Sequence, residues 1–254
     1  MRILLIVLLW AACDLACAGT PGTTLHVYGP GGPAPAMREA AAAFMAVQPD
    51  VQIELHVGPS AEWLPEAQND ADLVFSGAEY MLDALMQSLP LLVPDSAQAL
   101  YLRPAAILVR PGNPLGIRQF TDLMREDIDL LVVNGAGQTA LWEDLAGRRG
   151  QLDDVRAIRR NIAFRAGNSG QAKQAWLEHP EIDAWLIWSH WQLANPSLAD
   201  LVTLSEPFRI FRDCGIALTR DGLHKPASSA FVAFLQSPEG EAIFSRHGWQ
   251  KSFN

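Results

Sequence analysis

Tyr28-Gly29-Pro30-Gly31-Gly32-Pro33 sets three glycines and two prolines between a β-rich apolar run and a helical pattern, more than a turn alone needs. Glycine has no Cβ and accepts positive φ, so successive N–H groups can point into one concavity. A helix beginning there adds its positive end, and the combination suits an anion. The prolines stiffen the loop before any ligand arrives. A rigid turn is the plainer alternative.

Three further loops carry the same chemistry. Asn134-Gly135-Ala136-Gly137-Gln138-Thr139 follows the apolar run Leu130-Leu131-Val132-Val133 and leads into a helical pattern. With Ala140 it also fits G-x-G-x-x-A, and Asp153 and Asp154 lie where a dinucleotide fingerprint places its ribose-binding acid. Both readings use the same backbone groups; a second anion cradle is preferred, because the motif stands in mid-chain, the protein reads as exported and nicotinamide cofactors are scarce outside the cytoplasm. Ser76-Gly77-Ala78-Glu79 offers a hydroxyl and N–H donors, and Asn168-Ser169 opens another helical pattern. Glu79 would repel an anion, so it either pairs with an arginine or meets an ammonium group on a zwitterionic ligand. Arg103 can hold a carboxylate or oxyanion with two parallel hydrogen bonds. Arg110 and Arg212 read as ion-pairing residues. Trp188, at the end of an apolar run, is the tryptophan expected at the ligand.

Those residues need elements to position them. Apolar residues at Met37, Ala40, Ala41, Phe44 and Met45 predict a helix over 34–47, and alternation predicts a strand over 51–57. Strands are expected at 24–28, 73–75, 105–110, 130–133 and 184–188, with helices at 63–69, 119–124, 140–148 and 170–178. Two final helices are expected to be split at Pro238, with Ser237 as N-cap. Repeated βα units with continuous apolar strands indicate mainly parallel sheets flanked by helices, in which ligands sit at the carboxyl ends of strands. The segments 101–114 and 208–219 are extended, apolar and Arg-bearing, as two crossings between lobes would be.

The bulk properties bound what such a site can be. The chain has 254 residues, of which 49% are apolar, and its net charge is −9. That acidic balance, without Lys/Arg clusters, excludes nucleic acid and anionic lipid as natural partners, so an anion must be captured by local donors. Residues 1–18 read as a secretory signal peptide, with Arg2, an apolar run and Ala16-Cys17-Ala18. A lipoprotein with Cys13 or Cys17 acylated is the alternative. Cleavage leaves Cys214 alone, a buried small hydrophobe rather than half of a disulfide. The six His are dispersed, with no i, i+4 pair, and neither a G-x-S-x-G elbow nor a P-loop is present. No metal, cofactor or covalent catalysis is anticipated.

The segments VYGPGGPAPAM, DADLVFSGAEYM, YLRPAAILVRPGNP, VVNGAGQTALWED, IDAWLIWSHWQLANPSLAD, RDCGIALT and FLQSPEGEAIF together resemble the type II periplasmic substrate-binding proteins near the molybdate and sulfate binders. They are most similar to the accessory colonisation factor C family. The resemblance implies a two-lobed α/β fold with a ligand cleft between the lobes. It implies delivery of a small ligand to an ABC-type permease, or signalling through a membrane receptor. On this reading residues 19–104 plus 213–254 form lobe one, residues 105–212 form lobe two, and the protein is a periplasmic monomer. The expected ligand-binding set is Tyr28, Gly29, Gly31, Gly32, Ser76, Gly77, Glu79, Arg103, Asn134, Gly135, Ala136, Gly137, Gln138, Thr139, Asn168, Ser169 and Trp188.

Overall fold

The computed structural model describes residues 22–135 and 137–251. The signal-peptide reading of residues 1–18 and the ligand role given to Ala136 fall outside them. In chain order the elements are β1 (Thr23–Gly29), α1 (Ala34–Val47), β2 (Val51–Val57), α2 (Ser60–Asp70), β3 (Leu73–Phe75), α3 (Glu79–Ser88) and β4 (Gln98–Val109). There follow β5 (Leu130–Val133), α4 (Leu141–Ala146), α5 (Leu152–Asn161), β6 (Ile162–Ala166), α6 (Ser169–Glu178), β7 (Ala184–Trp188), α7 (His190–Ala194) and β8 (Asp200–Thr203). The chain then forms β9 (Phe211–Leu218), α8 (Arg220–His224), α9 (Pro226–Leu235) and α10 (Pro238–Arg246).

Helix α1 covers the range its periodicity predicts. Pro33 precedes it, Pro35 sits in its first turn, and Met37, Ala40, Ala41 and Phe44 form its buried stripe. That stripe packs with Phe231, Leu235 and Phe244 of the two C-terminal helices against β1 and β3. Burying each Phe-sized side chain contributes roughly 1.5–3 kcal/mol. Strands β5 and β7 are buried at every position, as continuous apolar runs covered on both faces must be. Ser237 caps α10, its side chain accepting from the Gly240 N–H.

The strands form a sheet in the order β2-β1-β3-β9-β4-β7-β5-β6, with β8 against β4. Pairs β1–β2, β1–β3, β5–β6 and β5–β7 are parallel, while β4 and β9 pair antiparallel with their neighbours. Strand β4 joins the two halves. It pairs with β9 as far as Pro104, then with β7 from Ala105 onward. Each half has its own apolar cores.

Several elements depart from the sequence expectation, among them the short α7, β8 and α8, which the sequence reading does not anticipate. Strand β4 begins at Gln98 rather than residue 105; a register shift between Ala99 and Tyr101 leaves Leu100 and Tyr101 both buried, so its first half lacks a clean alternation. Helix α3 starts at Glu79, with only Leu82 and Leu85 buried. Helix α5 is not anticipated either, although Leu152, Val155 and Ile158 recur at three-residue spacing; its buried positions are Asp154, Ile158 and Asn161. The short strand β6 follows it without a break. No helix among the described residues is long and apolar enough to cross a membrane.

Candidate functional site

Three loops at the carboxyl ends of β1, β3 and β5 close upon one side chain, Arg103 of β4. A Cβ on Gly32 would lie 2.9 Å from its Nη1; one on Gly77 would lie 3.3 Å, and one on Gly137 3.1 Å, from its Nη2. These three glycines let backbone approach the guanidinium where a larger residue could not. Gly137 would also bring its Cβ within 3.2 Å of the Gly77 carbonyl, so the two halves of the fold touch there. Both Gly135 (φ +146) and Gly137 (φ +84) adopt positive φ, which accounts for glycine in that loop.

Arg103 is 2% exposed. It donates to the Gly77 carbonyl, and its Nη1 lies 3.5 Å from His190 Nε2. The rings of Trp188 and Trp249 flank it, 4.9 and 5.0 Å from the guanidinium carbon. No carboxylate pairs with it among the described residues, and its Nε has no hydrogen-bond partner. Burial draws its pKa down to about 10, so it remains a cation at neutral pH. His190 is held neutral, first by burial and then by the charge of Arg103. A neutral imidazole whose Nε2 faces a donor carries its proton on Nδ1. Asp213 and Glu79 act on it from a distance, but a buried guanidinium with no carboxylate in contact is costly unless something anionic joins it.

The remaining expected residues divide by what they touch. Ser76 is buried beside the site, and its Oγ accepts from the Gly215 N–H at 3.2 Å. Gln138 is buried, donates from Nε2 to Ser169 Oγ at 2.7 Å, and leaves its Oε1 without a partner. The Thr139 N–H donates to the Tyr80 hydroxyl at 3.1 Å, which ties the β5 loop to α3. Gly31 faces open space, whereas a Cβ on Gly29 would stand 2.5 Å from the Phe75 ring. Gly29 is therefore a packing glycine. Asn134 is exposed, with its N–H on the Ala166 carbonyl. Asn168 caps α6 by accepting from the Gln171 N–H, so its side-chain oxygen is already engaged.

Two aromatic residues of the expected set take places the strands dictate. Tyr28 does not turn toward the loop it precedes; its ring stacks on His56, and its hydroxyl donates to Asp70 at 2.7 Å. Strand alternation sends it to the face covered by α2, while its neighbour Gly29 lies against Phe75. Trp188 is buried in the apolar core of the second half, so its ring supports Arg103 rather than lining open space. Its Nε1 donates to the Gly137 carbonyl at 3.2 Å. The structure adds His190, Trp249 and Tyr80, which the sequence reading did not single out. No spacing connects them to Arg103; only the pairing of β4 with its neighbours does.

Glu79 pairs with Arg212 at 3.3 Å, and Arg212 reaches Asp144 of α4 at 3.0 Å. This bridge spans both halves through β9. Arg110 instead donates to the carbonyls of Ile182, Trp176 and His179 and stacks on Trp176. The acids expected of a dinucleotide site are occupied elsewhere: Asp154 binds Arg149 and Asp153 binds Arg156.

Beside Arg212, the Asp213 carboxyl is pushed up to about 6 by burial and then by the charge of Glu79. Its folded pKa exceeds the ordinary value of 3.8, so the folded state binds the proton more tightly than the unfolded state. Asp213's contribution to stability should therefore fall as pH rises from about 4 to about 6, then level off. Asp213→Asn should erase that fall. Urea unfolding of both proteins at several pH values checks it, and a difference between them that stays constant with pH would refute it.

The sequence profile of the bacterial extracellular solute-binding proteins matches residues 25–250. Peb3 from Campylobacter jejuni superposes with a TM-score of 0.82 at 29% identity, covering 90% of this chain and 100% of that one. PEB3 with L-phospholactate bound gives 0.83 at 28% identity with the same coverage. The sulfate-binding protein SubI from Mycobacterium tuberculosis H37Rv shares the fold, with a TM-score of 0.74, 19% identity, and coverage of 89% and 86%. A search of curated proteins finds no match.

Proposed function

The chain belongs to the bacterial extracellular solute-binding protein family, whose members bind substrates rather than transform them, and on that premise we propose that it captures a small anion at Arg103. The fold is that of the type II periplasmic binding proteins. Arg103 is the observation that carries the reading: a fully buried guanidinium with no carboxylate in contact, set where three glycine loops meet. An anion placed there supplies the contact charge that the more distant Asp213 and Glu79 do not, and can accept the guanidinium donors bidentately.

Donors available beside it are the backbone of Gly31, Gly32, Gly77 and Gly137, together with the Ser76 hydroxyl. Gln138, Ser169 and Thr139 shape the far wall, while Tyr28, Trp188 and Asn168 act through packing and capping. Residues 19–104 with 213–254 and residues 105–212 would move as two lobes about the point where β4 passes from β9 to β7. The contacts Thr139–Tyr80 and Glu79–Arg212–Asp144 span that cleft and must part for ligand entry. The ligand is an inorganic oxyanion or a carboxylate, handed in the periplasm to an ABC-type permease. PEB3, at 28% identity, has been crystallised with L-phospholactate, a molecule bearing both groups.

Thermal unfolding in the presence of sulfate, molybdate, phosphate, L-phospholactate and dicarboxylates tests this. A ligand present at about 100 times its Kd should add about 2.7 kcal/mol of stability. At least one of these anions should raise the melting temperature saturably. An unmoved Tm with all of them, in protein shown to be folded, would overturn the anion reading.

A further inference from the structure

The first half of the sheet carries a second polar cluster on the face that α2 covers. Parallel pairing sets His26 opposite Glu54 and Tyr28 opposite His56, and period-two alternation puts all four side chains on that face. His26 Nδ1 lies 3.6 Å from Glu54 Oε2 and 3.8 Å from Asp70 Oδ2. One donor atom each from His26, Glu54 and His56 lie within 4.8 Å of one another. Although buried, His26 Nδ1 and His56 Nε2 have no hydrogen-bond partner. Two buried ring nitrogens therefore sit without hydrogen-bond partners, one of them flanked by two carboxylates, an arrangement that costs free energy until a cation joins it.

We propose that His26 Nδ1, His56 Nε2, Glu54 and Asp70 bind one zinc-class divalent cation. Two imidazole nitrogens with two carboxylate oxygens form a four-donor set that suits Zn²⁺, whereas Ca²⁺ and Mg²⁺ call for oxygen ligands alone. His26, Glu54 and His56 supply the three donors within 4.8 Å of one another, and Asp70 Oδ2, 3.8 Å from His26 Nδ1, is the fourth that must swing in. Tyr28 acts as a supporting group: its hydroxyl holds Asp70 Oδ1 at 2.7 Å and leaves Oδ2 facing His26. The local field is negative. After burial, Asp70, Glu66 and Glu54 raise the pKa of the Tyr28 hydroxyl. His26 is half-buried while Glu54 and Asp70 are exposed, so the ion has an open approach. The cation would bind the edge strand β2 to β1 and to the end of α2. The sequence hides this site because its ligands are far apart in number and meet only through strand register.

The test is titration of chelator-stripped protein with Zn²⁺, followed calorimetrically and by competition with a chromophoric chelator. One equivalent is expected, together with a raised melting temperature that a chelator reverses. His56→Gln and Glu54→Gln should each weaken Zn²⁺ binding by more than the ~10–100-fold that loss of a supporting group costs, and Tyr28→Phe should fall within that range. Glu54 is exposed, so its variant leaves the fold intact, and Arg103→Met should bind Zn²⁺ as the parent does. Absence of binding at 100 times the protein concentration, or unchanged affinity in the Glu54 and His56 variants, would overturn the proposal.

Discussion

Arg103→Met is expected to abolish anion binding and to leave the ligand-free protein at least as stable as the parent. Stability and affinity separate here because the guanidinium is buried, charged and without a carboxylate in contact. Replacing buried ionic groups by apolar side chains of similar volume is neutral or stabilising by about 1–4 kcal/mol. The methionine keeps the contacts with Trp188 and Trp249, where sulfur sits favourably against aromatic rings. Losing the charged fork removes about 3 kcal/mol or more of binding, roughly a hundredfold or greater loss in affinity. Arg103→Lys retains charge without the planar fork and should recover only part. Calorimetric titration with the tightest anion, beside urea unfolding without it, measures both quantities. A methionine variant that binds normally removes Arg103 from the site; one that is much less stable makes Arg103 a strut for Gly77 and His190.

Lys225→Met should cost about 3 kcal/mol of stability, because it strands a buried carboxylate. Asp72 is 1% exposed, and its Oδ2 accepts from Lys225 Nζ at 2.8 Å and from the His26 N–H at 3.0 Å. Lys225 also donates to the Thr24 carbonyl, so it ties the start of α9 to β1 and to the turn before β3. Breaking a buried pair costs about 3–5 kcal/mol, and the lower end applies because the lysine side chain is partly exposed. Adding Asp72→Asn to the variant should restore much of the loss by removing the stranded charge. Anion affinity of the folded protein should not change. Urea unfolding of the three proteins decides, and a loss under about 1 kcal/mol for the single variant would refute the account.

The fold was legible where one period dominated. The helix over 34–47, the strands 130–133 and 184–188, and the Ser237 cap need only local pattern, and the structure has them at those positions. Helix α5 was less legible, because half of it is charged and two of its three buried positions, Asp154 and Asn161, are polar, Asp154 through its pair with Arg149. At the site, the glycine loops could be read because a missing Cβ and a positive φ are properties of residue type. Arg103 could be read because an arginine on a crossing strand can present two parallel donors to a cleft. The directions of Tyr28 and Trp188 could not, since a one-residue step along a strand reverses the face. His190 and Trp249 reach Arg103 only through pairing between distant segments, and no local signal marks them.

The order of strands in the first half bears on how the molecule is made. Strand β9 lies between β3 and β4, yet it is the last strand of the chain. A growing polypeptide thus holds β1 to β4 for about a hundred residues of further synthesis before the piece that unites them exists. Until then β3 has an open side, and the Gly215 N–H that Ser76 will accept has yet to be translated. The second half, by contrast, has all its own strands once residue 203 has been added, apart from its share of β9's partner β4, which is already present. The inserted half can therefore consolidate first, whereas the half that begins the chain must wait for β9 to complete its sheet.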